Sequence, residues 1–446
     1  MTTIDAATTA ITVVEMARNG RFIDIERLFA PPLRAVVSAE TVRGAWEVEV
    51  GKRGPVAKIE EAKIEQAKDG LIRVSVPVTC ERGGFTVIMS VDGKGQLHGL
   101  RLAVSAEATI WTPPSYANPK KFDEQNVMVG SGSLAVPGRL SLPRGQGPWP
   151  GVVLLSGLGP FDRDETSGLN KPLKDLAWGL ASRGVAVLRF DQVTYTHSQQ
   201  VADTRDFTMT DEYVPPAVAA VHILQQQPTV DPARIFILGH SMGGKVAPRV
   251  AAAEPSIAGL VIMAGDTQPM QQSAIRVVRY LAQLYPGPAS DTTVEMMTRQ
   301  AALVESPDLS PSTPARELPF GLSGSYWLDL RSYDPVSTAV AINKPMLILQ
   351  GGRDYQVTLE DDLPGWKAGL GHRSDVTIRV YAADNHLFFS GTGRSTPAEY
   401  EPAQHIDPAV IADIVEWLTP KRGTLARFAS GLRRAIRHVA RPFSGS

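Results

Sequence analysis

The sequence predicts an α/β protein: a doubly wound, mostly parallel sheet with a helical cap insertion, preceded by a small α+β domain. Three observations predict it. Apolar runs such as residues 151–156 and 346–349 read as strands buried on both faces, the pattern of a parallel sheet. Helical stretches alternate with those runs beyond residue 150, giving β-α-β-α-β repetition. Before residue 115 the order differs: helices come first, then strands joined by short turns.

Composition sets bounds. The 446 residues are enough for two domains. Hydrophobic residues make up 43% and charged residues 20%, a globular balance. A net charge of -1 gives no general reason to expect a nucleic-acid partner. Cys80 is the single cysteine, so no internal disulfide forms, and its Val-rich surroundings read as core. Residues 1–10 show no basic region followed by a long apolar run, and no apolar stretch reaches the ~18 residues of a membrane span. A cytoplasmic protein is the expectation.

In residues 1–115, segments 12–17 and 22–29 have helical spacing, and Pro31-Pro32 ends that run. A second helix spans 33–46, with a cap in 38–42 and with Val42 and Trp46 four apart. Residues 57–67, 71–80, 84–91 and 97–103 read as strands, turning at Asp69-Gly70, Gly83-Gly84 and residues 92–95. Glu60, Glu61, Lys63, Glu65, His98 and Arg101 form no recognisable cluster and read as a solvated face. Four roles stay open for this domain: structural support, homodimer formation, gating of substrate or, less favoured, a direct part in the active site. A proline-rich linker, 111–119, leads into a second domain over 116–420.

That domain opens with strands 122–130 and 133–142, where Pro137-Gly138 suggests a bulge or a sheet edge. Helix 172–183, strand 185–190, helix 213–227 and strands 234–238 and 257–264 follow. Residues 265–342 are too many for a plain loop and read as a helical cap. Its Met270, Tyr280, Tyr285, Met296, Met297, Tyr326 and Trp327 are either a substrate wall or the cap's own core.

The chemistry centres on Gly239-His240-Ser241-Met242-Gly243, between an apolar strand and a small-residue helix. In a G-x-S-x-G turn the serine takes a strained backbone position, and its neighbours two residues away must be small. Ser241 is the candidate nucleophile. The glycine-rich turn at 156–160 ends a central strand, and its Leu158 amide is one candidate oxyanion donor; the Met242 amide is the second. The charged loop 161–166 next to that turn, with Asp162, Arg163, Asp164 and Glu165, is either an ion-paired loop that braces the oxyanion turn or a substrate contact, and Asp191 falls at another strand end. The acids at 162–165 surround Arg163 and have no nearby histidine, which argues against a metal site.

A serine hydroxyl needs a base. His386, in the loop 383–389 after a strand, can take and return its proton, and Asp354, after Gly351-Gly352, can hold the imidazole. Asp384 is the rival acid. His197, His222 and His240 read as wall, packing or structural residues, and His405, leading into the last helix, is a weaker candidate for the base. The order serine, acid, histidine predicts acyl transfer through an acyl-Ser241, with no metal and no organic cofactor.

Residues 120–420 thereby resemble the α/β-hydrolase superfamily, and within it bacterial serine esterases near the prolyl-oligopeptidase-like and dienelactone-hydrolase-like branches. The likeness rests on residues 159–166 (GPFDRDET), 170–177 (NKPLKDLA), 239–244 (GHSMGG) and 349–357 (LQGGRDYQV). It implies hydrolysis of small or short-acyl carboxylic esters, and it carries the nucleophile, acid and base roles to Ser241, Asp354 and His386. It also implies that residues 1–110 are similar to a cone-shaped nuclear-transport-factor-like domain. Two departures stand out: Asp191-Gln192 where this branch has Asp-Lys, and Ser156-Gly157 where His-Gly is common. A peptidase or amidase of the same fold is the alternative activity, and a silent binding protein the alternative class. The tail 421–446 carries seven Lys or Arg residues and no acid, with apolar residues at helical spacing. It reads as a basic amphipathic helix able to touch an anionic membrane surface, or as a disordered or self-docked tail.

Overall fold

A computed structural model describes residues 3–66, 71–81, 83–104, 111–204 and 206–419. The basic tail at 421–446 and the turn at Asp69-Gly70 lie outside them.

Helices α1 (Thr3–Arg18), α2 (Phe22–Arg27), α3 (Pro31–Val36) and α4 (Ala39–Arg53) precede strands β1 (Val56–Ile59), β2 (Lys63–Gln66), β3 (Ile72–Cys80), β4 (Gly83–Val91) and β5 (Leu97–Val104). The strands form one antiparallel sheet in the order β1-β3-β4-β5, with β2 also on β3. Alternation decides its buried face: Val74, Val76, Val78, Phe85, Val87 and Met89 pack with Phe22, Ile25 and Trp46. Three expectations are corrected. Pro31-Pro32 starts α3 instead of ending a helix, because a first turn does not need the missing N–H. The helix expected over 33–46 is two, broken at extended Val37, with Ser38 accepting from the Thr41 amide as cap of α4. The strand expected over 57–67 is two short ones, β1 and β2, on the same partner.

The second unit contains β6 (Phe122–Val129), β7 (Val136–Pro143), β8 (Trp149–Leu155), α5 (Pro172–Ala181), β9 (Ala186–Phe190), α6 (Val193–Thr196), α7 (Ser198–Ala202), α8 (Met209–Gln225), β10 (Val230–His240), α9 (Met242–Ala253) and β11 (Gly259–Met263). It continues with α10 (Met270–Leu284), α11 (Pro288–Glu305), α12 (Gly324–Arg331), α13 (Pro335–Ile342), β12 (Met346–Gly351), α14 (Leu363–Leu370), β13 (Val376–Tyr381) and α15 (Pro408–Leu418). The sheet order is β13-β12-β11-β10-β8-β9-β7-β6, parallel from β13 to β9 and antiparallel beyond. Both faces are covered. In β8, Val153 and Leu155 enter the core shared with α8 and α9, while Val152 and Leu154 enter the one shared with α5 and α15. That is why the run has no polar alternation.

Strand β7 is neither bulged nor at an edge, contrary to the reading of Pro137-Gly138. It pairs with β6 in unbroken register and with β9 on its other side. Pro137 is tolerated because it lies one residue beyond the β9 pairing, where its carbonyl accepts from the Asp191 amide at 2.9 Å. Helix α8 starts four residues earlier than expected. A capping box between Thr208 and Asp211 begins it, and Pro215 and Pro216 sit inside it.

The turn from β10 into α9 is packed backbone against backbone. Ser241 has φ 55 and ψ -118. A Cβ on Gly239 would lie 2.1 Å from the Gly243 carbonyl oxygen, and one on Gly243 would lie 2.4 Å from that of Leu155. The two units of the chain meet where Arg53 Nη2 reaches Glu401 Oε1 at 3.1 Å and where Val36 packs on Gly321. Among the described residues no helix is long and apolar enough to cross a membrane.

Two outcomes follow from this packing. Gly243→Ala is expected to cost ~2 kcal/mol or more, since backbone and not a flexible side chain blocks the methyl; thermal unfolding measures it. Burial lifts the Glu212 carboxyl from 4.5 to about 7, against the Thr194 amide and hydroxyl that donate to its Oε1. A raised folded-state pKa stabilises fully below 4.5 and loses that contribution as pH rises through 7. Glu212→Gln should therefore gain stability over the parent by up to about 3 kcal/mol between about pH 5 and about pH 8. An equal difference at both pH values would refute it.

Candidate active site

Four strand ends converge at one edge of the parallel sheet, the usual site of ligand binding in such folds. The end of β8 continues into the turn Gly157-Leu158-Gly159. The end of β10 presents Ser241 at the N-terminus of α9, where the Ser241 amide donates to the Met263 carbonyl at 2.8 Å. Beyond β12 stands Asp354, and beyond β13 stands His386.

Asp354 and His386 are both buried. His386 Nδ1 lies 2.7 Å from Asp354 Oδ2. The other carboxylate oxygen accepts from the Gln356 and Val357 amides at 2.8 and 3.0 Å. Two backbone donors thus fix the acid, and the acid fixes the ring so that Nε2 is its unbonded nitrogen. Ser241 and His386 face a common cavity of about 460 Å³ without a hydrogen bond between them. Such bonds are often long in an unliganded site. Leu158, Met242, Met270, Ala274, Val278, Phe320, Val357 and Leu387 make its wall largely apolar.

Leu158 and Met242, the residues expected to offer oxyanion donors, both line this cavity. Among the described residues neither amide has a protein acceptor. Asp162, Arg163 and Asp191 do not line it. Asp162 accepts from the Thr166 amide and hydroxyl at 2.9 and 2.7 Å. Arg163 grips Asp191 with Nε at 2.9 Å and Nη2 at 3.0 Å, while its amide donates to the same carboxylate at 2.8 Å. Burial pushes the Asp191 carboxyl up, and Arg163 opposes that shift. Asp384, the rival acid, bonds the Ser390 hydroxyl at 2.8 Å. Of the apolar cap residues weighed as a substrate wall, Met270 lines the cavity; Tyr326 and Trp327 are in the main core and Met297 in a small core of the cap.

Several further polar groups surround the cavity, and of these sequence reasoning places Glu165 only in the charged loop beside the oxyanion turn and His240 only as packing beside the Ser241 turn. Glu165, at φ 53, is buried; its Oε1 accepts from the Gly157 amide at 2.6 Å and lies 3.0 Å from His240 Nδ1. His240 Nε2 in turn donates to the His386 carbonyl at 2.9 Å. Burial acts against the charged form of His240, but Glu165 and the His386 carbonyl outweigh it and raise its pKa. Gln192 is buried under the glycine turn; its Nε2 donates to the Gly157 carbonyl at 2.8 Å and its Oε1 accepts from the Phe161 amide at 2.8 Å. Tyr213 Oη donates to the same carbonyl at 2.7 Å. Gln192 gave one signal in the sequence, as the partner of Asp191 at a strand end; Tyr213 gave none.

Known proteins resemble this chain over most of the second unit and beyond. Residues 170–390 match the family model of Hydrolase_4, serine aminopeptidase S33. Esterase EstD of Thermotoga maritima is 36% identical over 339 residues, covering 76% of this chain and 77% of its own. Esterase FrsA of Salmonella dublin is 26% identical over 271 residues, covering 57% and 62%. The structure of a Pyrococcus furiosus esterase superposes with a TM-score of 0.43 at 18% identity, over 70% of this chain and 97% of that one. The chain belongs to the α/β-hydrolase superfamily, in the serine-hydrolase family that includes esterase EstD.

Proposed function

We propose that the chain is a serine carboxylesterase for small, uncharged, short-acyl esters. Ser241 is the nucleophile, His386 the base and later the acid, and Asp354 the carboxylate that orients it. What supports this most is that Ser241, at its strained turn, and the Asp354-bound His386 open onto one apolar cavity. His386 Nε2 takes the Ser241 proton as Oγ attacks the ester carbonyl carbon. The Leu158 and Met242 amides receive the oxyanion. Collapse passes the proton from Nε2 to the departing alkoxide, leaving acyl-Ser241. Water then attacks the acyl carbon, its proton goes to Nε2 and on to Ser241 Oγ, and the acid leaves.

Cavity chemistry supports the substrate class. Its volume is in the range of small-ligand sites. No Lys or Arg lines it among the described residues. The first unit, with helices wrapped on one face of an antiparallel sheet, we read as the cone-like domain of the resemblance.

A second reading is favoured by one observation. The matching family model is described as serine aminopeptidase, and Asp266 lines the cavity as a carboxylate that could meet an amino group. Its Oδ2 already pairs with Lys245 Nζ at 2.9 Å, which leaves little net charge for that task. A panel of p-nitrophenyl esters of rising acyl length, run beside aminoacyl nitroanilides, separates the two. Turnover is expected on short esters, with kcat lowered ~10⁴-fold or more by Ser241→Ala and ~10⁴-fold by Asp354→Asn. Ester turnover that survives Ser241→Ala sinks the mechanism, and a preference for nitroanilides sinks the substrate class.

A further inference from the structure

We infer that Gln192 and Tyr213 are positioning residues of the oxyanion hole: they hold the Gly157–Leu158 peptide in the one orientation that turns the Leu158 N–H into the cavity. The inference rests on the oxyanion role proposed above for Leu158.

Crowding limits position 157. A Cβ at position 157 would lie 2.9 Å from Glu165 Oε1 and 3.2 Å from the Ser241 Cβ, so the carboxylate on one side and the nucleophile on the other leave room for glycine alone without a shift. Glycine brings freedom with it. Without a Cβ, the peptide that follows can rotate by half a turn at little steric cost. In a trans peptide the carbonyl and the next N–H point in opposite directions. One orientation offers the substrate oxygen a donor. The other offers it a carbonyl lone pair, which repels an oxyanion.

Two side-chain donors remove that choice. Gln192 Nε2 and Tyr213 Oη reach the Gly157 carbonyl at 2.8 and 2.7 Å and lie 3.1 Å from each other. The Gln192 amide is itself fixed, because its oxygen accepts from the Phe161 amide. Only that orientation of the amide serves both backbone groups. Tyr213 is buried, and burial pushes its hydroxyl well above its ordinary pKa, so it stays a donor. On the near side, Glu165 Oε1 holds the Gly157 N–H. With its carbonyl bonded away from the cavity, the 157–158 unit can only present Leu158 N–H to it. Donation to the carbonyl also polarises the same peptide and strengthens its N–H as a donor.

The test uses Tyr213→Phe, which removes one oxygen and no packing, Gln192→Met, and the double variant. Short-ester kinetics, thermal unfolding and inhibition by an alkyl boronic acid, which forms a tetrahedral adduct with a serine, are read together. Each single variant should lose ~10-fold in kcat and the double variant ~10²–10³-fold, with KM within about twofold. Boronate affinity should fall by the same factors as kcat/KM. A merely structural role would lower kcat without a matching loss of boronate affinity, and that result overturns the inference, as does a kcat within about twofold of the parent in all three. Ser241→Ala is the control. If it leaves turnover and boronate binding intact, the nucleophile assignment fails and the clamp falls with it. If it abolishes both while the Gln192 and Tyr213 variants match the parent, the clamp alone fails.

Discussion

Lack of room for a single methyl group between β8 and the β10–α9 turn governs this structure. The Gly243 Cα sits against the Leu155 and Ser156 carbonyls, and Gly239 against Gly243. That contact lets α9 start directly over the sheet, and it forces Ser241 into a backbone region that side-chain-bearing residues rarely occupy. The strain is held because the surroundings over-determine it. The Ser241 amide bonds Met263 on the neighbouring strand, and its carbonyl receives the Lys245 amide at 3.0 Å.

From that turn, order spreads outward through buried polar groups. His240, the residue before Ser241, bonds the His386 carbonyl, so the serine turn and the histidine loop are joined directly. Glu165 joins the same residue to the Gly157 amide. Farther out, Asp164 and Glu124 flank buried Arg189, each at 2.9 Å, and Arg163 holds Asp191. Buried ion pairs of this kind add little net stability, but losing one partner strands the other. They specify one loop conformation.

How much of this was legible beforehand depended on whether the signal was local. The parallel strands announced themselves because both faces are covered, and Gly239, Ser241 and Gly243 are three positions of one turn. The Asp354–His386 contact was readable from chain order, since strand ends must share an edge. Proline misled the reading in both units. Pro31 sits at a helix start and Pro137 just past a strand pairing, where the missing N–H costs nothing. Gln192 and Tyr213 meet Gly157 across separations of 35 and 56 residues, and no period or motif encodes such a contact. Sequence reasoning saw in Gln192 a lost charge; the fold uses it as a neutral donor and acceptor at once.

The pairing of charges around the cavity bears on how a reaction cycle ends. Glu165 is matched with His240, and Asp266 with Lys245, so among the described residues no cation remains unengaged along the wall. A neutral ester, the substrate proposed above, would lose little by entering. The acid it becomes is ionised at neutral pH, and a carboxylate in apolar surroundings without a counterion is costly to keep out of water. In the proposed reaction, hydration of that carboxylate favours release of the product.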